Sequence, residues 1–419
     1  MHGLGVVCGL AAGAWLGAAE APVKLVTTGL SPFLISFGMV AGVFVGRWTL
    51  PAILKGTGFV FADLRRRAHL VVWAVLAGAL WAVANTLTVF AIRDVGLSIA
   101  FPLWNTNSLV GVFWGWFFFR ELRGSGLGNW SKVLGGAVAI VGGAVLLAYA
   151  SARPGAAGPH RDLFGVAAAL CAGLMWGTMY IPYRKAYLSG MNPLSFVTVF
   201  TVGEMTTVTT LALAFQGGWR PLTAALAEAR PALFWLFLGG FCWVVGDLFQ
   251  QYAAKYIGIG RGIPLSNTNQ LWGLAWGALV FGELAGARAS ARGTVIAGSA
   301  VMILGAIGIA SAVAPAAERA ARSEAVTREC SRYGLERDEA EAALAGEDPS
   351  PTARPGVAAP RTWDALIAVL AVAAFVGLGT MARQPAIALD TRAMAALLAA
   401  TASVLVVAGT WLWKRTRFS

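Results

Sequence analysis

Glu204 and Asp247 stand inside long apolar stretches, where an ionisable side chain is costly and defaults to a functional reading. A carboxyl group taken out of water can exchange a proton near neutral pH, so both are candidates for proton coupling. A carboxylate hydrogen-bonded to a neighbouring helix is the plainer alternative. Two neutral clusters accompany them. Asn105, Thr106, Asn107 and Ser108 interrupt the apolar run PLWNTNSLVGVFWGW, and Asn267, Thr268, Asn269 and Gln270 interrupt IPLSNTNQLWGLAWG. Amides and hydroxyls at that depth suit a ligand with many hydroxyls, although Asn and Thr also serve as hydrogen bonds between helices. Residues two apart cannot share a helix face, so one asparagine of each pair is expected to be structural. Asn85 in a third apolar run, and Trp104 and Trp243, complete the candidate contacts, since a tryptophan face can stack on the C–H face of a sugar ring.

The elements that position these residues follow from composition. Hydrophobic residues make up 58% of the 419-residue chain and charged residues only 12%. A soluble domain carries roughly 25% charged residues, so the chain reads as an all-α polytopic membrane protein embedded in a lipid bilayer. Apolar runs long enough to cross about 30 Å of hydrocarbon fall near residues 3–21, 32–50, 70–92, 97–119, 133–150, 164–182, 193–215, 233–254, 263–282, 294–313, 364–382 and 393–413. The first run lacks the basic leader and favourable cleavage site of a signal peptide and reads as a retained helix. A loop after the second run, read as holding Arg47, Lys55, Arg65, Arg66 and Arg67, places that loop in the cytoplasm by the positive-inside rule. Both termini are then cytoplasmic. The net charge of +12 is assigned to such loops rather than to nucleic-acid binding. Abundant Ala, Gly and Arg point to a GC-rich bacterial genome, and hence to a bacterial inner membrane.

The chain also repeats itself. FPLWNTNSLVGVFWGWFFFREL aligns with IPLSNTNQLWGLAWGALVFGEL at a shift of 162, pairing Asn105 with Asn267 and Asn107 with Asn269. Trp81 pairs with Trp243 and Asn85 with Asp247 at the same shift, whereas Glu204 pairs with Val43. Residues 1–150 and 164–313 therefore read as two five-helix units. Five is odd, so the second unit enters the membrane upside down, the construction by which secondary transporters expose one central site to each side in turn. Helical rise puts Asn105 and Asn267 near mid-membrane from opposite directions. Residues 314–362 read as a charged cytoplasmic linker tethering 1–313 to two additional spans in 363–419, its first part open to forming a solvated, Ala-rich helix and a regulatory or partner-binding role being the alternative.

With GALWAVANTLTVFAIRDVGLSIAFP, IPLSNTNQLWGLAWGALVFGE and the APVK and IPYRK turns, residues 1–313 resemble the drug/metabolite transporter superfamily, in its sugar-uptake branch of glucose, ribose and rhamnose porters. The resemblance implies ten spans in two repeats and uptake of a sugar, often with protons. Transport or export of another metabolite or drug within the superfamily is the alternative. Glu121 and Glu283 match an acidic position common in the superfamily, read as gate or structural charges together with Glu20, Lys24 and Arg184 at span boundaries. No HExxH or GxSxG motif and no histidine cluster suggests an enzyme, and the four cysteines show no metal spacing. No cofactor or metal is expected. Glycines at 135, 136, 142, 143, 298 and 305 read as close helix contacts, surfaces that also suit a homodimer.

Overall fold

Apolar residues lie on all faces of the long segments, as suits helices that meet protein on one side and hydrocarbon on the other. The computed structural model describes residues 1–419 except 27–28, 96–99, 101–102, 152–158, 283, 285–287, 313–314, 347–360, 384–388 and 419. Every regular element among the described residues is helical. The first part of the chain forms α1 (His2–Lys24), α2 (Pro32–Leu54), α3 (Thr57–Arg66), α4 (His69–Val95), α5 (Asn107–Phe119) and α6 (Leu127–Ser151). Next come α7 (Pro159–Leu188), α8 (Pro193–Gln216), α9 (Trp219–Glu228), α10 (Arg230–Ile257), α11 (Ile259–Ser266) and α12 (Asn269–Ala275), the last continued by a π-helical turn at Trp276–Val280. The chain closes with α13 (Ala289–Ala310), α14 (Pro315–Tyr333), α15 (Arg337–Ala345), α16 (Thr362–Met381) and α17 (Thr391–Thr416).

Ten of these helices are long and apolar enough to cross a membrane. Two of the twelve expected spans are broken. The span expected at 97–119 is helical at Leu103–Trp104, breaks at Asn105–Thr106 and resumes at Asn107, and the span expected at 263–282 begins at Ile259 and breaks after Ser266. Both departures fall at the Asn-Thr-Asn sequences.

Helix starts follow local chemistry. Ser31 accepts a hydrogen bond from the Leu34 amide ahead of α2, and Asn192 accepts one from the Leu194 amide ahead of α8. Each cap is followed by proline, which has no amide hydrogen to leave unpaired at a helix start. Glycines then let backbones meet. Gly78 of α4 lies against the Phe200 carbonyl of α8, and Gly203 of α8 against the Val75 carbonyl of α4. Gly240 of α10 lies against the Met39 carbonyl of α2, and Gly42 of α2 against the Phe237 carbonyl of α10. A side chain at any of the four would drive into that carbonyl. Gly136 and Gly143 of α6 meet the Gly305 and Gly298 carbonyls of α13, whereas Gly135 and Gly142 face open space and are not contacts.

Two parts lie outside the bundle formed by the helices up to α13. Helices α16 and α17 pack on its flank, with Phe375 edge-on to Phe237 and Phe241 at 4.9 and 4.8 Å and the Trp15 indole donating to the Thr401 carbonyl at 3.1 Å. The stretch expected to be a linker differs more. Its first half folds into the α14–α15 hairpin, whose Ala325, Val326, Cys330, Ala340 and Leu344 are buried in the same apolar core as Tyr187, Leu188 and Met191. Four-residue spacing puts Val326 with Cys330 and Ala340 with Leu344 on one face of each helix, so alanine-rich helices with few large residues still dock. Residues 347–360 lie outside the described part.

Candidate functional site

Both helix breaks have the same construction. The Thr106 amide donates to the Leu103 carbonyl and the Thr268 amide to the Leu265 carbonyl, three residues back instead of the four of an α-helix. Each threonine hydroxyl donates to that same carbonyl, at 2.7 and 2.8 Å, and so competes with the helical pattern. Glycines admit the breaks into the bundle. Gly173 of α7 lies against Trp104 and Thr106 and Gly177 against Val110 with the Asn107 carbonyl behind it, while Gly13 and Gly17 of α1 lie against Thr268 and the Asn269 carbonyl.

The two breaks touch through Asn267. Its amide nitrogen lies 2.7 Å from Asn107 Oδ1, 2.6 Å from the Ser108 hydroxyl and 3.4 Å from the Asn105 carbonyl. Those contacts use Asn267 and Asn107 to join helices. Asn105, Asn269 and Gln270 differ: Nδ2 of Asn105, Oδ1 of Asn269 and Nε2 of Gln270 are buried without a hydrogen-bond partner. An unmade buried hydrogen bond costs about 1–3 kcal/mol, so such atoms mark places where a bound hydroxyl would be repaid. Trp104 is buried beside them, edge-on to Trp176 at 6.0 Å.

A second cluster is charged. Arg47 of α2 donates from Nη1 to Glu204 Oε2 at 2.9 Å and from Nη2 to Asp247 Oδ2 at 2.6 Å, with all three side chains at most 1% exposed. The guanidinium also lies 4.5 Å from the Phe200 ring centroid and 5.2 Å from that of Trp243. Gln251 donates to the other Asp247 oxygen at 2.6 Å and accepts from the Tyr187 hydroxyl. One residue earlier, Gln250 accepts from Tyr180 and donates to Ser266, which immediately precedes Asn267. Helix α10 thus carries side chains toward both clusters.

The expected contacts divide accordingly. Trp104, Asn105, Asn107, Asn267, Asn269 and Gln270 gather at the breaks. Trp243 stands at the charged cluster instead, 4.9 Å from Trp81, and Asn85 donates to Ser36 Oγ at 2.9 Å. Glu204 and Asp247 come together on one cation. That cation, Arg47, corrects the reading of it as a loop charge: it is buried in mid-helix. Charge counting would have found it, because two acids inside apolar runs call for a basic residue inside another. Tyr180, Tyr183 and Tyr187 were also missed, although their spacing sets three of the chain's 7 tyrosines on one face of α7.

The boundary charges have definite places. Glu121 accepts from the Ile259 and Gly260 amides at 3.2 and 2.9 Å, capping the start of α11, and pairs with Arg184 at 3.2 Å. Arg184 Nη1 donates to the Ala254 and Lys255 carbonyls at the end of α10. The acid thus meets a helix start and the base a helix end, each matching the local dipole. Lys24 lies over the Phe281 ring at 4.8 Å, and Glu20 is half-buried near the end of α1. Glu283 lies outside the described residues.

Residues 163–311 match the EamA-like transporter family. A Lactobacillus johnsonii protein described as "Putative sugar uptake protein" is 36% identical over 88 residues, which is 20% of this chain. The match spans only 30% of that relative's length. A solved protein crystal structure aligns over 72% of this chain and 96% of its own at 19% identity, with a TM-score of 0.43.

Proposed function

We propose that this multi-pass membrane protein, whose residues 163–311 match the EamA-like transporter family, is a transporter of the drug/metabolite superfamily that moves a sugar by alternating access, coupled to proton entry. The observation that carries the substrate is the set of buried, unpartnered amide atoms on Asn105, Asn269 and Gln270 at the two helix breaks. They offer donors and an acceptor without charge, as a neutral polyhydroxylated ligand requires, and Trp104 and Trp176 add flat apolar surface beside them. The name of the Lactobacillus johnsonii relative agrees with that class.

Alternating access draws support from the packing. The contacts of Gly78 with Phe200 and of Gly203 with Val75 return as those of Gly240 with Met39 and of Gly42 with Phe237. Position 78 maps to 240 and 75 to 237 by a shift of 162, and 39 to 200 and 42 to 203 by 161. Residues 1–150 and 164–313 thus act as inverted units that exchange conformations. Proton coupling rests on the charged cluster. Two carboxylates share one guanidinium, so the buried set carries excess negative charge when both are ionised. A proton on either acid removes that excess and loosens its hold on Arg47. The termini and the α14–α15 hairpin are cytoplasmic in this reading, and the direction is uptake into a bacterial cell.

Uptake into proteoliposomes from a panel of labelled sugars, with and without an inward proton gradient, tests the proposal. Accumulation of at least one sugar that rises with the gradient supports it. Failure of the whole panel, with binding of a charged or lipophilic compound instead, transfers the site to another cargo of the superfamily.

A further inference from the structure

The α14–α15 hairpin touches more of the bundle than a tether needs. From α14, Glu329 pairs with Lys185 at the end of α7 at 2.9 Å, and Tyr333 stacks on His69 at the start of α4 with ring centroids 4.0 Å apart. Glu324 pairs with Arg120 at the end of α5, and Arg322 donates to the Tyr256 carbonyl near the end of α10 at 3.0 Å. From α15, Ala340 meets Gly190 after α7. Residues 1–150 contribute His69 and Arg120 to these contacts, and residues 164–313 contribute Lys185, Gly190 and Tyr256. One hairpin is therefore fastened to both five-helix units at one face of the bundle.

Two features make that fastening consequential. The hairpin's anchor, Lys185, is the next residue to Arg184, which holds Glu121 and the α10–α11 corner. The contact is also desolvated: Val326 is 0% exposed and Ala325 and Ala340 are each 1% exposed. If the two units must part at this face to admit cargo, a strap bound to both has to let go.

We propose that the α14–α15 hairpin is a latch: docked, it holds the two units together at its face and closes that side of the site, and the site opens there only when it undocks. The proposal rests on the alternating-access reading, and its first readout is independent of cargo.

In a variant with Cys8, Cys171, Cys242 and Cys330 replaced by alanine, Asn269→Cys supplies one thiol at a helix break. Its labelling by a water-soluble maleimide added at the hairpin face is compared between an intact hairpin and Glu329→Gln with Tyr333→Ala. Trypsin cleavage at Arg328 and Arg332 reports undocking, and a chain lacking residues 315–346 serves as the fully released form. Release is expected to speed labelling about tenfold, as when a minor open state becomes a major one. Equal labelling in the released and latched forms overturns the latch. The converse arm joins His69→Cys to Tyr333→Cys with a cleavable thiol cross-linker: uptake should stop and return on cleavage. Undiminished uptake by fully linked protein also overturns it. Absence of uptake before linking, with labelling still dependent on the hairpin, instead removes the sugar reading and leaves the latch standing.

Discussion

The two polar clusters in the bundle are built on opposite plans. The helix break occurs twice, with the same threonine hydroxyl bond and the same glycine pair beside each copy. The Arg47–Glu204–Asp247 cluster occurs once, because positions 43, 85 and 208 across the repeat hold valine, asparagine and valine. Duplicated parts suit a motion in which the halves trade roles. A single charged cluster offers one place whose protonation can be linked to the state of the site, which the proposed coupling requires.

The contrast can be broken at several points. The largest effect belongs to Arg47→Met, which strands two buried carboxylates and should cost about 3–5 kcal/mol of stability. Thermal unfolding in detergent measures it. Adding Glu204→Gln and Asp247→Asn should restore most of the loss, and a triple variant as unstable as the single one would show that charge is not what the cluster balances. Asp247→Asn alone should let sugar equilibrate across proteoliposomes but end its accumulation under a proton gradient. Accumulation at the wild-type level would take Asp247 out of coupling. Gly17→Val and Gly177→Val probe the duplicated part: the first forces a side chain into the Asn269 carbonyl and the second into the Val110 side chain beside the Asn107 carbonyl, and each should cost about 1–3 kcal/mol. Gly135→Val, facing open space, is the control. Strongly unequal melting shifts for the two glycines would mean that the breaks are not equivalent. The smallest effect separates residues within a break. Asn269→Ala should weaken sugar binding up to about tenfold, by loss of one hydrogen bond, with little change in melting. Asn267→Ala should lower the melting temperature first. Reversal of that pattern in calorimetry would exchange their roles.

Hydrophobic run length made the membrane class and all the long helices legible, because a span is defined by solvent and not by partners. The Asn-Thr-Asn pair was legible as polar but not as a double break. Nothing local distinguishes a threonine that pulls its hydroxyl back to a carbonyl from one that points across to another helix. Arg47 was hidden for another reason. Near the end of an apolar run an arginine can reach water or turn inward, and only Glu204 and Asp247, 157 and 200 residues away, decide which. The α14–α15 hairpin was misread as a solvated tether because charge pattern reports the exposed face of a helix. Its docked face is mostly alanine, valine and cysteine with one leucine and one tyrosine, too few large residues to stand out among the arginines and glutamates.

Between α10 and α11 the chain turns back within a single residue, Gly258, whose φ is +83°. Glu121 and Arg184 pin that corner from the outside. A corner this short has no slack, so the two helices form a bent lever with its fulcrum at one end of the bundle. By helical rise its arms are about 42 Å and about 12 Å long. Moving the short arm by about 1 Å, at Ser266 beside the break, swings the far end of the long arm by roughly 3.5 Å if both arms stay straight. If cargo binds at the break as proposed, a small shift there is enlarged at the far end of α10.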